Sequence, residues 1–362
     1  MKKLIAYGLQ MLMGAAVGFL IAYNVLFVTD SPFVLFPSLA AILWTFYAHV
    51  IIHEAGHLKG GLFSGYKFVS FRIGPFMFAK GSNGLRFSVS PVKSIAGQCL
   101  LMPPPQQKAQ PFFLYHAGGA LANFIVSTVV FLFMLFTEVS FSGAMFCGVG
   151  LLLGITNLLP AASSEVPNDG ANIKEARKGE AYLQALQTQL RVGAWLTQGM
   201  SLAEMNEEVF ALPEGIDPKS RFAVALRLNW YHRLLAQQNL GEAAVIMRGL
   251  YEESAGMYPY FQREIQGEWL YCLSAVLYET AHAEELFEKR LKKWLPTYPQ
   301  EDKCRIYYAY LLLVAKNEDK ARKCLERVEK AIKKSVYPSI AKTERQLIED
   351  IAAKAYILKV AP

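Results

Sequence analysis

Residues 4–28 carry no charged side chain over 25 consecutive positions, which is roughly 37 Å of α-helix and enough to cross a hydrocarbon core of about 30 Å. Three further runs are as free of charge: residues 33–52, 112–136 and 141–159. A chain with four such runs is constrained to fold around a membrane. The 53% hydrophobic content and mean hydropathy of +0.22 agree, being high for a soluble protein. Met1-Lys2-Lys3 also resembles the charged start of a secretory signal peptide. The apolar stretch behind it exceeds the usual length of about 7 to 15 residues, so an uncleaved anchor is expected.

Basic residues accumulate on the cytoplasmic side of membrane proteins, and they set the expected topology. The loops at 29–32 and 137–143 contain no lysine or arginine, only Asp30 and Glu138, whereas residues 59–110 carry seven basic residues and no acidic one. With Lys2 and Lys3 at the start and a charged C-terminal half, every positive segment falls on one side. The reading is a multi-pass protein of the cell membrane, both termini cytoplasmic. The net charge of +7 is then a topology signal, and with no basic helix or aromatic-basic interleaving, nucleic acid is not expected as a partner. The five cysteines form no C-x-x-C pair and read as reduced thiols.

At the end of the second run stands His53-Glu54-Ala55-Gly56-His57, an H-E-x-x-H pentad. Positions i and i+4 share a helix face, so His53 and His57 can offer two imidazole nitrogens to one metal ion, with Glu54 beside them as a general base. Chance places such a pentad in a chain of this length on the order of one time in a hundred or less. Two histidines make an incomplete zinc site, and a third ligand is needed. Asn168-Asp169-Gly170, just past the fourth run, lies at the same membrane level under the expected topology. Asp169 is the expected ligand, with Glu165 the rival in the same loop.

The third run contains His116-Ala117-Gly118-Gly119-Ala120-Leu121-Ala122-Asn123, whose small residues allow close helix approach. Asn123 is polar within a bilayer segment and reads either as a group that orients substrate or stabilises an oxyanion, or as an interhelical hydrogen bonder. His116 reads as a satisfied polar residue near the interface. His49, one turn before His53, reads as a support to the metal ligands, a proton relay or simply a buried side chain.

Between the second and third runs, Phe76-Met77-Phe78 and Leu85-Arg86-Phe87-Ser88-Val89 flank the turn signal Asn83-Gly84. They predict a small β-hairpin at the membrane surface, whose edge either takes up an extended peptide or merely caps the helices. After residue 170 amphipathic helical periodicity begins, dividing the chain into a transmembrane domain, 1–175, and a cytoplasmic helical domain, 176–362. Aligning Gly241, His282 and Asp319 as equivalent turns gives periods of 41 and 37 residues, a repeat-like helical array resembling tetratricopeptide repeats. The fold class expected is an all-α membrane protein with four transmembrane helices, a surface hairpin and this array.

With the pentad, Gly118-Gly119-Ala120-Leu121-Ala122-Asn123 and Asn157-Leu158-Leu159-Pro160 leading to Asn168-Asp169-Gly170, residues 33 to about 175 resemble the site-2 protease family of intramembrane zinc metalloproteases. The resemblance implies zinc on His53, His57 and Asp169, Glu54 as general base, Asn123 assisting substrate, and a membrane-surface hairpin. It implies membrane-protein or signal-peptide substrates. Gly119-Ala120 stands where Gly-Pro is usual, and Asn168-Asp169-Gly170 where Leu-Asp-Gly is commoner. No PDZ-like or CBS-like pattern is visible, and the helical array lies outside the resemblance. The rival reading is a membrane-tethered scaffold with a structural or inactive metal site, whose array binds a protein partner.

Overall fold

The computed structural model describes residues 35–81, 84–89, 96–105, 112–160 and 167–360. The first expected span, 4–28, and Glu165 lie outside the described residues. The rest is mostly helical and divides into two compact units, the second beginning at Ala181 and including Lys80–Gly84.

In the first unit, helix α1 (Leu35–Phe63) runs unbroken from the apolar second run through the pentad. Helices α2 (Phe112–Phe136) and α3 (Phe141–Leu158) are long and apolar enough to cross a membrane, and 28% of the apolar window of each is buried within protein. Among the described residues these are the two helices that meet that standard, so the four expected spans are not shown. Helix α1 is inverted relative to a soluble amphipathic helix. Thr45, His49, His53, Glu54 and His57 are buried, while Leu43, Trp44, Tyr47 and Ile51 face outward, Trp44 at 75% exposure. Small residues bring the helices together. A Cβ on Gly56 would stand 2.2 Å from the Gly118 carbonyl oxygen, and one on Gly60 would stand 2.1 Å from that of Leu114. Larger side chains at either position would force the two backbones apart.

The all-α expectation needs correction. Instead of a lone hairpin there is a four-stranded sheet of order β3-β2-β1-β4, with β1 Lys67–Ile73, β2 Phe76–Gly81, β3 Gly84–Val89 and β4 Gly97–Met102. Strands β2 and β3 are the expected hairpin. Strand β1 pairs antiparallel with β2 (Phe71 opposite Phe78) and with β4 (Phe71 opposite Cys99). Two irregularities hid β1 and β4. A bulge between Phe68 and Ser70 breaks the alternation of β1, so that Val69 and Ser70 are both buried. In β4 the consecutive residues Cys99, Leu100 and Leu101 are all buried, leaving no period-2 pattern. On the β2–β3 hairpin, Phe76 and Phe78 lie against Phe87, all three exposed.

After helix α4 (Asp169–Ala176), the second unit begins within helix α5 (Glu180–Thr197). Three helix pairs follow: α6 (Arg221–Ala236) with α7 (Leu240–Glu253), α8 (Pro259–Ala275) with α9 (Thr280–Leu286), and α10 (Glu301–Ala309) with α11 (Glu318–Lys333); α12 (Pro338–Val360) ends the array. Each pair turns on a non-glycine residue with positive φ: Gln238 at 60°, Tyr278 at 59° and Lys316 at 51°. The next residue's amide returns to the preceding helix in each case, Asn239 to Leu234, Glu279 to Leu273 and Asn317 to Leu311, closing its C-terminus. Five residues beyond each turn stands a buried alanine, Ala243, Ala283 and Ala321. The spacings, 40 residues (238 to 278) and 38 (278 to 316), are close to those read from the turn signals.

Inside this unit a buried charge cluster ties four helices. Arg305 of α10 donates to both carboxylate oxygens of Glu268 on α8 at 2.9 Å and to Glu344 on α12 at 2.7 Å. The Tyr231 hydroxyl of α6 also donates to Glu268, and the Tyr271 ring lies 4.2 Å from the guanidinium.

Candidate metal centre

The pentad's two imidazoles converge on Asp169. His53 Nε2 and His57 Nε2 are 3.0 Å apart, and the Asp169 Oδ2 atom is 3.2 Å from the first and 3.3 Å from the second. Among the described residues this is the one group of three His, Cys, Asp or Glu side chains able to share an ion.

Each member is placed by a separate local device. His57 Nδ1–H donates to the Tyr115 carbonyl of α2 at 2.7 Å, which leaves its Nε2 to face the others. Asp169 is the first residue of α4, and Asn168 caps that helix by accepting from the Ala171 amide at 3.0 Å. The same Asn168 side chain donates to the Thr156 and Leu159 carbonyls at the end of α3, at 2.8 and 2.6 Å. Gly170 completes the joint, because a Cβ there would lie 2.0 Å from the Leu158 carbonyl oxygen. Asparagine, aspartate and glycine at 168–170 thus anchor the joint, carry the carboxylate and fit against α3, in that order. Burial opposes ionisation of Asp169, but the imidazoles of His57 and His53 outweigh it and hold the carboxyl below the usual carboxylate range.

Gly119 forms the wall of the site. A Cβ there would stand 2.6 Å from both Nε2 atoms. Glu54 is buried beside the triad, accepting from the Cys99 amide of β4. A Cβ on Gly97, two residues earlier on that strand, would stand 2.6 Å from Glu54 Oε1. The Tyr115 hydroxyl donates to the Cys99 carbonyl at 2.7 Å. The outer edge of β4 is therefore taken up in positioning Glu54 and α2, and β3 is the sheet's other edge. Burial, with Glu54 second, pushes the Cys99 thiol up to about 12, and Cys99 is not one of the three side chains placed to share an ion.

Asn123 is fully buried, its amide between the rings of His49 and His53. His49 Nε2 lies 2.9 Å from the Phe146 carbonyl of α3. His116 differs from expectation. It is buried against Tyr115, and its Nε2 has no hydrogen-bond partner among the described residues. Sequence reading missed four contributors. The Tyr115 carbonyl and the Cys99 amide are main-chain groups without a side-chain signature. Gly97 and Gly119 matter only through what a side chain there would strike.

The donor set of two imidazole nitrogens and one carboxylate oxygen suits a divalent transition-metal ion, whereas magnesium and calcium prefer oxygen alone. Ligand separations of 3.0–3.3 Å also match the edge of about 3.3 Å of a tetrahedron with ligands near 2.0 Å from its centre. No family model, curated protein or solved structure matches the chain.

Proposed function

We propose that the protein is an intramembrane zinc metalloprotease of the site-2 protease type, hydrolysing peptide bonds within or near transmembrane segments of membrane-protein or signal-peptide substrates. One observation carries the reading. Three side-chain atoms, His53 Nε2 and His57 Nε2 of α1 and Asp169 Oδ2 of α4, converge within 3.3 Å of one another, on the buried side of a helix whose apolar side faces out. With both imidazoles neutral and the carboxylate ionised these lone pairs would repel, and a divalent cation among them removes that repulsion.

His53, His57 and Asp169 would hold the ion. Bound there, zinc supplies Lewis-acid polarisation of the scissile carbonyl and lowers the pKa of a water molecule to about 7. Glu54 takes a proton from the attacking water as the carbon–oxygen bond forms, and delivers it to the amine as the carbon–nitrogen bond breaks. The Cys99 amide fixes which way that carboxylate faces. The helices α1 to α3 and the anchor at 4–28 cross the membrane four times, with both termini cytoplasmic, and the helical array recruits or gates a protein partner.

The test is membrane proteomics on cells carrying the wild type or Glu54→Gln, with zinc content measured on the purified proteins. Glu54→Gln is expected to keep zinc and to accumulate uncleaved membrane segments that the wild type removes. Equal cleavage by both forms would refute the mechanism.

A further inference from the structure

The side-chain amide of Asn123 lies between two imidazoles that make opposite demands on it. In the structure's amide orientation, Oδ1 is 3.2 Å from His49 Nδ1 and Nδ2 is 3.4 Å from His53 Nδ1. A half-turn about the terminal bond exchanges oxygen and nitrogen without changing the shape of the group, so hydrogen-bond chemistry decides between the two orientations.

His49 settles one side. Its Nε2 faces the Phe146 carbonyl at 2.9 Å, an atom that can only accept, so Nε2 carries the hydrogen. A fully buried imidazolium with no carboxylate against it is costly, and the ring is therefore neutral with a bare Nδ1. That atom needs a donor, and only the amide's NH2 end supplies one. His53 settles the other side. If its Nε2 is to face Asp169 and a metal ion as a lone pair, its hydrogen sits on Nδ1, and that N–H needs an acceptor. The amide oxygen is the acceptor in reach. The turned amide satisfies both rings, and the other orientation satisfies neither.

We infer that Asn123 is a positioning residue for the metal centre, accepting from His53 Nδ1–H and donating to His49 Nδ1, with His49 anchored to α3 through the Phe146 carbonyl. It does for His53 what the Tyr115 carbonyl does for His57. The inference rests on the metal-centre reading and departs from a substrate-contacting role for Asn123, which its complete burial does not favour. Gly150 makes the arrangement possible, since a Cβ there would lie 2.3 Å from His49 Cε1.

The test uses full-length protein in detergent, with zinc affinity measured by chelator competition and histidine nitrogens read by NMR on 15N-histidine protein. The chain's six histidines keep the spectrum assignable. In the zinc-loaded wild type, His53 is expected to bind through Nε2 with hydrogen on Nδ1, and His49 to carry hydrogen on Nε2. Asn123→Leu is expected to lose about 10- to 100-fold in zinc affinity, as removal of a ligand-orienting partner does, while Asn123→Asp, which still accepts from His53, stays within a few-fold. A His53 bound through Nδ1, or an Asn123→Leu protein that binds zinc as tightly as the wild type, overturns the inference and leaves the metal centre standing. A wild type that takes up no zinc overturns the metal centre and the inference together. The wild-type spectrum decides the tautomers even where a variant fails to fold.

Discussion

Adding one methyl group at Gly119 probes the metal centre more sharply than removing a ligand does. The Cβ of Gly119→Ala would stand 2.6 Å from His53 Nε2, 2.6 Å from His57 Nε2 and 2.7 Å from His53 Cε1, where ordinary van der Waals contact begins at 3.4 Å. The shortfall is about 0.8 Å on both ligand atoms at once, against a tolerance of about 0.2 Å in metal–ligand distance. Neither ring can swing freely, because His57 is tied to the Tyr115 carbonyl and His53 is flanked by Asn123. The helices could separate instead, but only by opening the close backbone approach of Gly56 and Gly118 immediately beside the site. Zinc affinity is therefore expected to fall at least 100-fold, with a lower thermal midpoint. Gly148→Ala is the control, since a Cβ there meets nothing within 4 Å. Chelator competition on purified Gly119→Ala, Gly148→Ala and wild-type proteins reads the outcome. Stoichiometric zinc at wild-type affinity in Gly119→Ala would show that the two Nε2 atoms are not the ligands.

Two predictions concern the helical array. Arg305→Ala strands the buried carboxylates of Glu268 and Glu344 and should cost about 3–5 kcal/mol in denaturant unfolding. Arg305→Met combined with Glu268→Gln and Glu344→Gln should recover most of that loss, and a triple variant no better than the single one would disprove the account. Burial pushes the Glu344 carboxyl from 4.5 up to about 7 despite the neighbouring Arg305. The folded state then holds that proton more tightly than the unfolded state, so the stabilisation is complete below pH 4.5 and is lost as pH rises through 7. Its size is on the order of 3 kcal/mol. Glu344→Gln should flatten the fall in unfolding stability between pH 4.5 and 7, whereas parallel wild-type and variant profiles would exclude the cause.

How much of this was legible in the residues depends on whether a feature is carried by a side chain or by the main chain. His53, Glu54, His57 and Asp169 were legible because the H-E-x-x-H motif and its candidate carboxylate are carried by side chains, and the structure brings the two imidazoles and the Asp169 carboxylate together with Glu54 buried nearby. Asn168 was legible as a departure from a pattern but not as the cap and anchor that sets Asp169. The Tyr115 carbonyl and Cys99 amide were invisible, since any residue supplies them. Strands β1 and β4 escaped because a bulge and a doubly buried run erase the alternation that marks a strand. The array's turns were seen through Gly241, His282 and Asp319, although the residues that turn the chain are Gln238, Tyr278 and Lys316. Left-handed backbone at a glutamine, a tyrosine and a lysine leaves no compositional trace.

The inverted faces of α1 bear on the proposed membrane setting. A helix bearing Thr45, His49, His53 and His57 along one side would, in water, turn that side out and bury Leu43, Trp44, Tyr47 and Ile51. Here the arrangement is reversed. Under the proposed function, lipid around the outer face would remove the cost of exposing those apolar side chains, and the inner polar groups would then depend on partners within the protein. That requirement accounts for the chain of contacts from the Phe146 carbonyl through His49 and Asn123 to His53, and from the Tyr115 carbonyl to His57. In that setting the site's polar groups would have no solvent to fall back on. Loss of any one contact should then be felt at the metal ligands before it is felt in the helices that carry them.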